Sequence, residues 1–286
     1  MNGLLFGLLS AFSFGTADFF AGKASKKTGI FSTLFYMQLV GFIFLTAAVT
    51  WFGQWHNLNS FADVAAASLW MALDLIGILF LYHGLVSGKS SVVAPIASSF
   101  SVFTIILAFA FGERFSTVKL AAIILTLLGI FLTTLVVNGR KKSGSGQKLE
   151  SGAVWAIVAA LFLGTAFFGL RYPHEALGGL VTVWIGRLQA TILLPIVYAC
   201  FKKRLVVPDK NSAYLIVIVG ILDALALVCY NLGLGLEDTS IVITATSLFA
   251  VVTLLWGVFV GGEKPLWNQW VGISCTFVGI SLISLI

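Results

Sequence analysis

Residues 73–93 read LDLIGILFLYHGLVSGKSSVV, and residues 222–242 read LDALALVCYNLGLGLEDTSIV. Superposed at an offset of 149 residues, they pair Asp74 with Asp223, Gly84 with Gly233 and Ser91 with Ser240. The same offset pairs Ser98 with Ser247, Phe100 with Phe249, Thr104 with Thr253, Gly3 with Gly152, and GTA at 15–17 with GTA at 164–166. After one inserted residue, GER at 112–114 meets GEK at 262–264, and Gly129 meets Gly279. A register held over this length marks a duplicated chain.

The medium of this chain follows from its composition. Of 286 residues, 59% are hydrophobic and only 10% are charged, and mean hydropathy is +1.04. A soluble domain carries about 25% charged and 45–50% apolar residues, and no soluble fold of this length can bury so much apolar surface. The apolar runs are about 20 residues long, the length a helix needs to cross a hydrocarbon core of about 30 Å. The alternating segments of about 10 residues that mark membrane strands are absent.

The sequence predicts ten spans, at 2–22, 31–52, 62–86, 91–111, 117–137, 151–170, 180–201, 212–236, 240–260 and 266–286. The expected fold is an all-α integral membrane protein of ten transmembrane helices, with a five-helix repeat at 1–137, a flexible basic cytoplasmic linker at 138–150 and a second repeat at 151–286. Five is odd, so the second repeat enters the membrane from the opposite side. The repeats are expected to be inverted, with a binding site between them near mid-membrane, as in secondary carriers.

Apolar sequence begins at Met1 without a basic leader, so the first run reads as a retained span. Cys200, Cys229 and Cys275 all fall in apolar runs and read as packing residues, with no disulfide framework. Loops after the odd-numbered spans hold thirteen Lys and Arg residues, against three on the other face (Arg114, Lys119 and Arg171). The positive-inside rule then puts both termini outside. The formal charge of +6 is concentrated in these loops, so nucleic acid is not expected as a partner.

On these residues the chain resembles the drug/metabolite transporter superfamily, specifically proteins with two EamA-type repeats. The resemblance covers nearly the whole length. It rests on the duplicated plan and on the junctions FAFGERFSTVKLAAIILTLLGIFL and VFVGGEKPLWNQWVGISCTFVGISL, with the opening SFGTADFFAGKASKK. It implies an inner-membrane carrier of small metabolites and leaves the substrate open among amino acids, sugars, nucleotide conjugates and drugs. The chain departs from the family pattern at Phe14-Gly15, where relatives carry Trp-Gly, and at Thr244, the repeat mate of Pro95, where many carry proline. The loop after the second span, basic in relatives, is GQWHNLNS here.

The candidate site residues are polar groups within apolar helices. A charge at a helix centre costs about 2.5–3.5 kcal/mol on insertion scales, so it faces a cavity or a partner. Asp74 and Asp223 are therefore expected at comparable depth. If they face each other they cannot both carry charge cheaply, which suits proton exchange or cation binding. The plainer reading is a structural aspartate bonded to a neighbouring helix. Asp18 either completes an acidic site or caps a break before AGKASKK. Arg187 has Gln38 as its mate, and it either pairs with Asp18 or Asp223 or binds a substrate carboxylate.

Ser91, Pro95 and Ser98 share one helical face, which Ser240, Thr244 and Ser247 repeat. They either line a cavity, with Pro95 as a hinge, or let helices pack closely. Tyr82, its mate Asn231, and Tyr230 are candidate walls or interfacial residues. Glu113 and Glu263, beside Arg114 and Lys264, read as local ion pairs or helix caps. No phosphate loop, metal-ligand spacing or nucleophile–base pair is present, so neither a cofactor nor an enzyme is expected. The expected function is alternating-access transport of a small polar or amphipathic metabolite, by proton-exchanging export. Uptake of sugars, nucleosides or cationic compounds and channel-like permeation are the alternatives. The lipid bilayer and a small-molecule substrate are the expected partners, with protons a candidate third, and the sequence leaves the oligomeric state open, a monomer included.

Overall fold

The computed structural model describes residues 2–88, 93, 96–134, 151–200, 205–262 and 266–283. The expected linker, Ser91, Pro95, Glu263 and Lys264 lie outside these residues.

All regular structure among the described residues is helical. The first half contributes α1 (Asn2–Thr28), α2 (Ile30–Trp51), α3 (Phe61–Ser87), α4 (Phe100–Ala110) and α5 (Thr117–Thr134). The second contributes α6 (Ser151–Gly169), α7 (Arg171–Cys200), α8 (Lys210–Leu234), α9 (Thr239–Thr246), α10 (Phe249–Phe259) and α11 (Trp267–Ile283). Seven described helical stretches are long and apolar enough to cross a membrane, the last being Thr239–Phe259, which joins α9 to α10. Ile96–Ala110 and Thr117–Gly129 are shorter apolar helices. Helices satisfy their own backbone polar groups, which hydrocarbon cannot do for them.

Three boundaries differ from the sequence expectation. Helix α1 continues through Lys23, Lys26 and Lys27 to Thr28, so the expected basic loop is helical and no break follows Asp18. Only Gly29 separates α1 from α2. Helix α7 starts at Arg171, which makes His174 helical rather than part of a loop, and it kinks at Gly178. Gly29 (φ 85°) and Gly178 (φ 74°) are repeat mates, so the duplication preserved a left-handed joint before the second long helix of each half. A side chain with a Cβ is strained there.

The fourth helix of each half is interrupted at equivalent residues. Ser99 and Leu248, 149 apart, share φ −61° and ψ −9°. At both sites amides reach back three residues: Ser99 N to Ile96 O (3.1 Å) and Leu248 N to Ala245 O (3.2 Å). Hydroxyls tighten the turns, Ser99 Oγ donating to Ile96 O (2.7 Å) and Ser247 Oγ to Thr244 O (2.7 Å). The second half has Thr244 where the first has Pro95, so proline is not required for this break.

The halves interlock by reciprocal contacts. Helix α1 lies on α8 and α10, and its counterpart α6 lies on α3 and α4. Thr253 Oγ1 donates to Gly15 O (3.2 Å), and Thr104 Oγ1 donates to Gly164 O (2.9 Å), the same contact made by the two sets of mates. A Cβ at Gly15 would meet Phe249 O at 2.5 Å, and one at Gly164 would meet Phe100 O at 2.7 Å. Glycine at these crossings lets two backbones touch. Helices α2 and α7 run antiparallel between them: Tyr198 Oη donates to Phe31 O (2.6 Å) near one end and Trp184 Nε1 to Thr46 Oγ1 (2.9 Å) near the other. Helices α5 and α11 are also antiparallel, with Asn268 donating to Leu132 O (3.0 Å) and Gly279 lying against Thr126.

Candidate functional site

Where the halves meet at mid-helix there is a cavity of about 30 Å³, room for one or two waters. Its walls are mostly pairs of repeat mates: Phe14 with Leu163, Asp18 with Phe167, Asp74 with Asp223, and Phe100 with Phe249. Ile78 and Leu81 complete it. A cavity built from mates lies on the axis of the duplication. It carries three carboxylates because Asp18 stands where the second half has Phe167.

Arg187 reaches this seam from α7, buried to 1% exposure. Its Nη2 contacts Asp223 Oδ2 at 2.7 Å and donates weakly to Asp223 O at 3.4 Å. Its Nη1 donates to Gln38 Oε1 at 2.6 Å. Repeat mates 149 residues apart therefore touch across the seam, and the pair is completed by an acid from α8. The charges are unequal in number, with one guanidinium among three carboxylates. Asp18 and Asp74 are both buried, line the cavity, and make no hydrogen bond to any described residue. Asp74 feels both Arg187 and Asp223, whereas Asp18 feels Asp74 and Asp223. Among the described residues no group of three His, Cys, Asp or Glu converges closely enough to hold a metal ion.

Tyr82 lies within electrostatic reach of all three carboxylates and Arg187, and its hydroxyl donates to Met37 Sδ (3.2 Å). The other candidates lie elsewhere. Asn231, the mate of Tyr82, is buried against Gly179 and donates to Leu227 O (3.0 Å). Tyr230 turns away from Asp223 and donates to Phe167 O (2.8 Å). Thr244 donates to Ser240 O (2.5 Å) and Ser247 to Thr244 O, so these hydroxyls serve their own helix instead of lining the acidic cavity. Ser98 is buried and does not line it either.

The phenylalanines at 14, 100, 167 and 249 were not among the sequence candidates. In an apolar helix nothing distinguishes a cavity-lining phenylalanine from a lipid-facing one. The contact of Asp18 with its surroundings also corrects the capping alternative, since the helix runs on past it.

Glu113 makes both an ion pair and a helix cap, but with Lys119 and the start of α9 and not at its own turn with Arg114. It accepts from Ser240 N (3.2 Å) and Ser240 Oγ and lies 3.7 Å from Lys119 Nζ, which also pairs with Asp238. This ionic knot ties the α4–α5 turn of one half to the start of α9 in the other. Beside it opens a polar vestibule of about 600 Å³, bordered by Arg171, His174, Glu175 and Glu237.

The profile of the EamA-like transporter family matches residues 1–135 and 150–285. An uncharacterized protein of Methanocaldococcus jannaschii is 27% identical over 137 residues, which span 46% of this chain and 96% of that protein. A relative of about half the length is the size of one repeat. A crystal structure of a protein at 16% identity shares the fold, with a TM-score of 0.78 over 99% of this chain and 96% of the other. Two profile matches, one per half, on a chain whose described regular structure is helical and rich in membrane-crossing helices lead to one assignment: this multi-pass membrane protein belongs to the EamA-like transporter family.

Proposed function

We propose that this chain is a secondary active carrier that moves a small polar or amphipathic metabolite, amino-acid-like or drug-like, across the cytoplasmic membrane. It exports its substrate in exchange for protons at Asp74 and Asp223. One observation carries the reading: mate carboxylates, with a third acid and one arginine, share a buried cavity at the seam between two repeats. Groups at such a seam change their exposure when one half rocks against the other, which is what coupling by alternating access requires. The antiparallel pairing of α2 with α7 and of α5 with α11 supports ten spans in two inverted sets of five. The distribution of basic residues supports a cytoplasmic linker and external termini.

A cavity of about 30 Å³ is too small for a metabolite, so on this reading the structure is a closed state in the cycle. The test is flux in proteoliposomes under an imposed pH gradient, with substrates first found by thermal-shift screening against amino acids, sugars, nucleosides and cationic drugs. Asp74→Asn and Asp223→Asn are expected to abolish gradient-driven flux while leaving membrane insertion intact. Unchanged flux in both removes the carboxylates from the mechanism. Saturation and trans-stimulation in counterflow identify a carrier, and their absence identifies a pore.

A further inference from the structure

Repeat symmetry nominates Asp74 and Asp223 as equals, yet the structure makes them unequal. Asp223 is engaged by Arg187, which is itself held by Gln38. Asp74, on the wall of the same cavity, has no hydrogen-bond partner among the described residues, and neither has Asp18 on α1. We infer that the exchangeable site is the asymmetric pair Asp18–Asp74, that it takes an organic cation, an ammonium group on an apolar body, and that Arg187 is a positioning residue that keeps Asp223 out of the exchange. This rests on the carrier reading but changes the exchanging pair: Asp18 replaces Asp223 beside Asp74, and Asp223→Asn alone stops flux by freeing Arg187 beside Asp74.

Charge and wall chemistry select the cation. One guanidinium balances one of three carboxylates, so the remaining two lack a counter-charge in a nearly dry cavity. Anionic ligands are repelled there, and a carboxylate-bearing substrate finds the only guanidinium already occupied. The rest of the wall is largely aromatic: Phe14, Phe100, Phe167 and Phe249. Ring faces attract ammonium groups, by about 2 kcal/mol or more when water is excluded, and rings beside unpaired carboxylates form a receptor for an alkylated or arylated amine.

Charge balance gives the exchange step. Without a ligand the Asp18–Asp74 pair holds a proton. When one monovalent cation docks, an O–H bond breaks and its proton leaves to water, so the net charge of the site is unchanged. The other charged or titratable groups facing the pair are Asp223 from α8, Arg187 from α7 and Tyr82 from α3. The stretches of α4, α6 and α10 around the cavity contribute only apolar side chains to its wall.

The experiment uses the full chain purified in detergent, with radiolabelled phenyltrimethylammonium as probe and tert-butylbenzene, its neutral isostere, as competitor. Proton release is followed with an indicator dye in weak buffer between pH 6 and 8. Wild type is expected to bind saturably, to resist displacement by the isostere, and to release about one proton per cation bound. Asp18→Asn and Asp74→Asn should each weaken binding at least tenfold and abolish proton release. The paired neutral variant Arg187→Gln/Asp223→Asn should still release a proton.

Wild-type binding without proton release overturns the inference. So does equal displacement by tert-butylbenzene, or release that survives in Asp18→Asn but disappears in the paired variant. If the paired variant does not fold, wild type and Asp18→Asn alone decide. If these fail while leucine or another substrate still shows saturable counterflow, the carrier reading stands without this site. Absence of saturable counterflow for every probe removes the carrier reading itself.

Discussion

Arg187 concentrates more consequence than any other single side chain in the fold. Removing it leaves Asp223 as an uncompensated acid in a buried site, and breaking a buried pair in this way costs about 3–5 kcal/mol. Arg187→Met is therefore expected to lower unfolding stability by roughly that amount, read from denaturation of the purified protein, whereas Arg187→Met/Asp223→Leu should recover most of the loss. Gln38→Ala deletes one charge-assisted hydrogen bond, and the expected cost is smaller, about 1.5–3 kcal/mol. Asp74, Asp223 and Arg187 were legible in the sequence because charge within an apolar run demands explanation. Which acid takes the arginine was not legible, because offset arithmetic identifies mates but does not say which of them touch. The aromatic walls were hidden for a related reason, since phenylalanine is equally at home against lipid, core or ligand.

Among the helices, the glycine crossings decide how closely the halves approach. At Gly15 and Gly164 the obstacle to a Cβ includes a backbone carbonyl, which cannot swing aside as the end of a side chain can. Gly15→Ala and Gly164→Ala should each push α1 or α6 outward and lower thermal stability, whereas Gly22→Ala, whose nearest neighbour would be Leu85 Cβ at 3.9 Å, should be neutral. Melting curves of the three variants test this ranking. The knot of Glu113, Lys119, Asp238 and Ser240 joins one half to the other at one end of the bundle. Lys119→Met should loosen it, and a cysteine placed at Thr239 should then react faster with a water-soluble thiol reagent than in the parent protein. For Glu113 the sequence suggested an ion pair or a helix cap; what it did not show was that the capped helix belongs to the other half, because packing brings two distant turns together. Pro95 was the one hinge the sequence suggested, whereas matching breaks at Ser99 and Leu248 are accompanied by hydroxyl groups in both halves.

For the whole molecule, duplication was the most legible property, because an offset of 149 residues survives in glycines, threonines and aspartates whose roles are geometric. The interlocking was not legible, since self-similarity shows that two copies exist without showing that each completes its fold with elements of the other. It follows that residues 1–137 and 138–286 expressed together as separate chains should co-purify as one complex, whereas either alone should be recovered in much lower yield. Affinity capture through a tag on one half measures this directly.

The order in which the chain is made gives this arrangement a further meaning. Helix α1 lies against α8 and α10, roughly 200 residues later in the chain. Its glycine-lined face must wait in the lipid until those helices of the second half have been made. A nascent polypeptide arrested between the halves would hold that helix against α2 and α3 but without its larger partners, so closure of the fold waits on the second half and quality control can intervene until then.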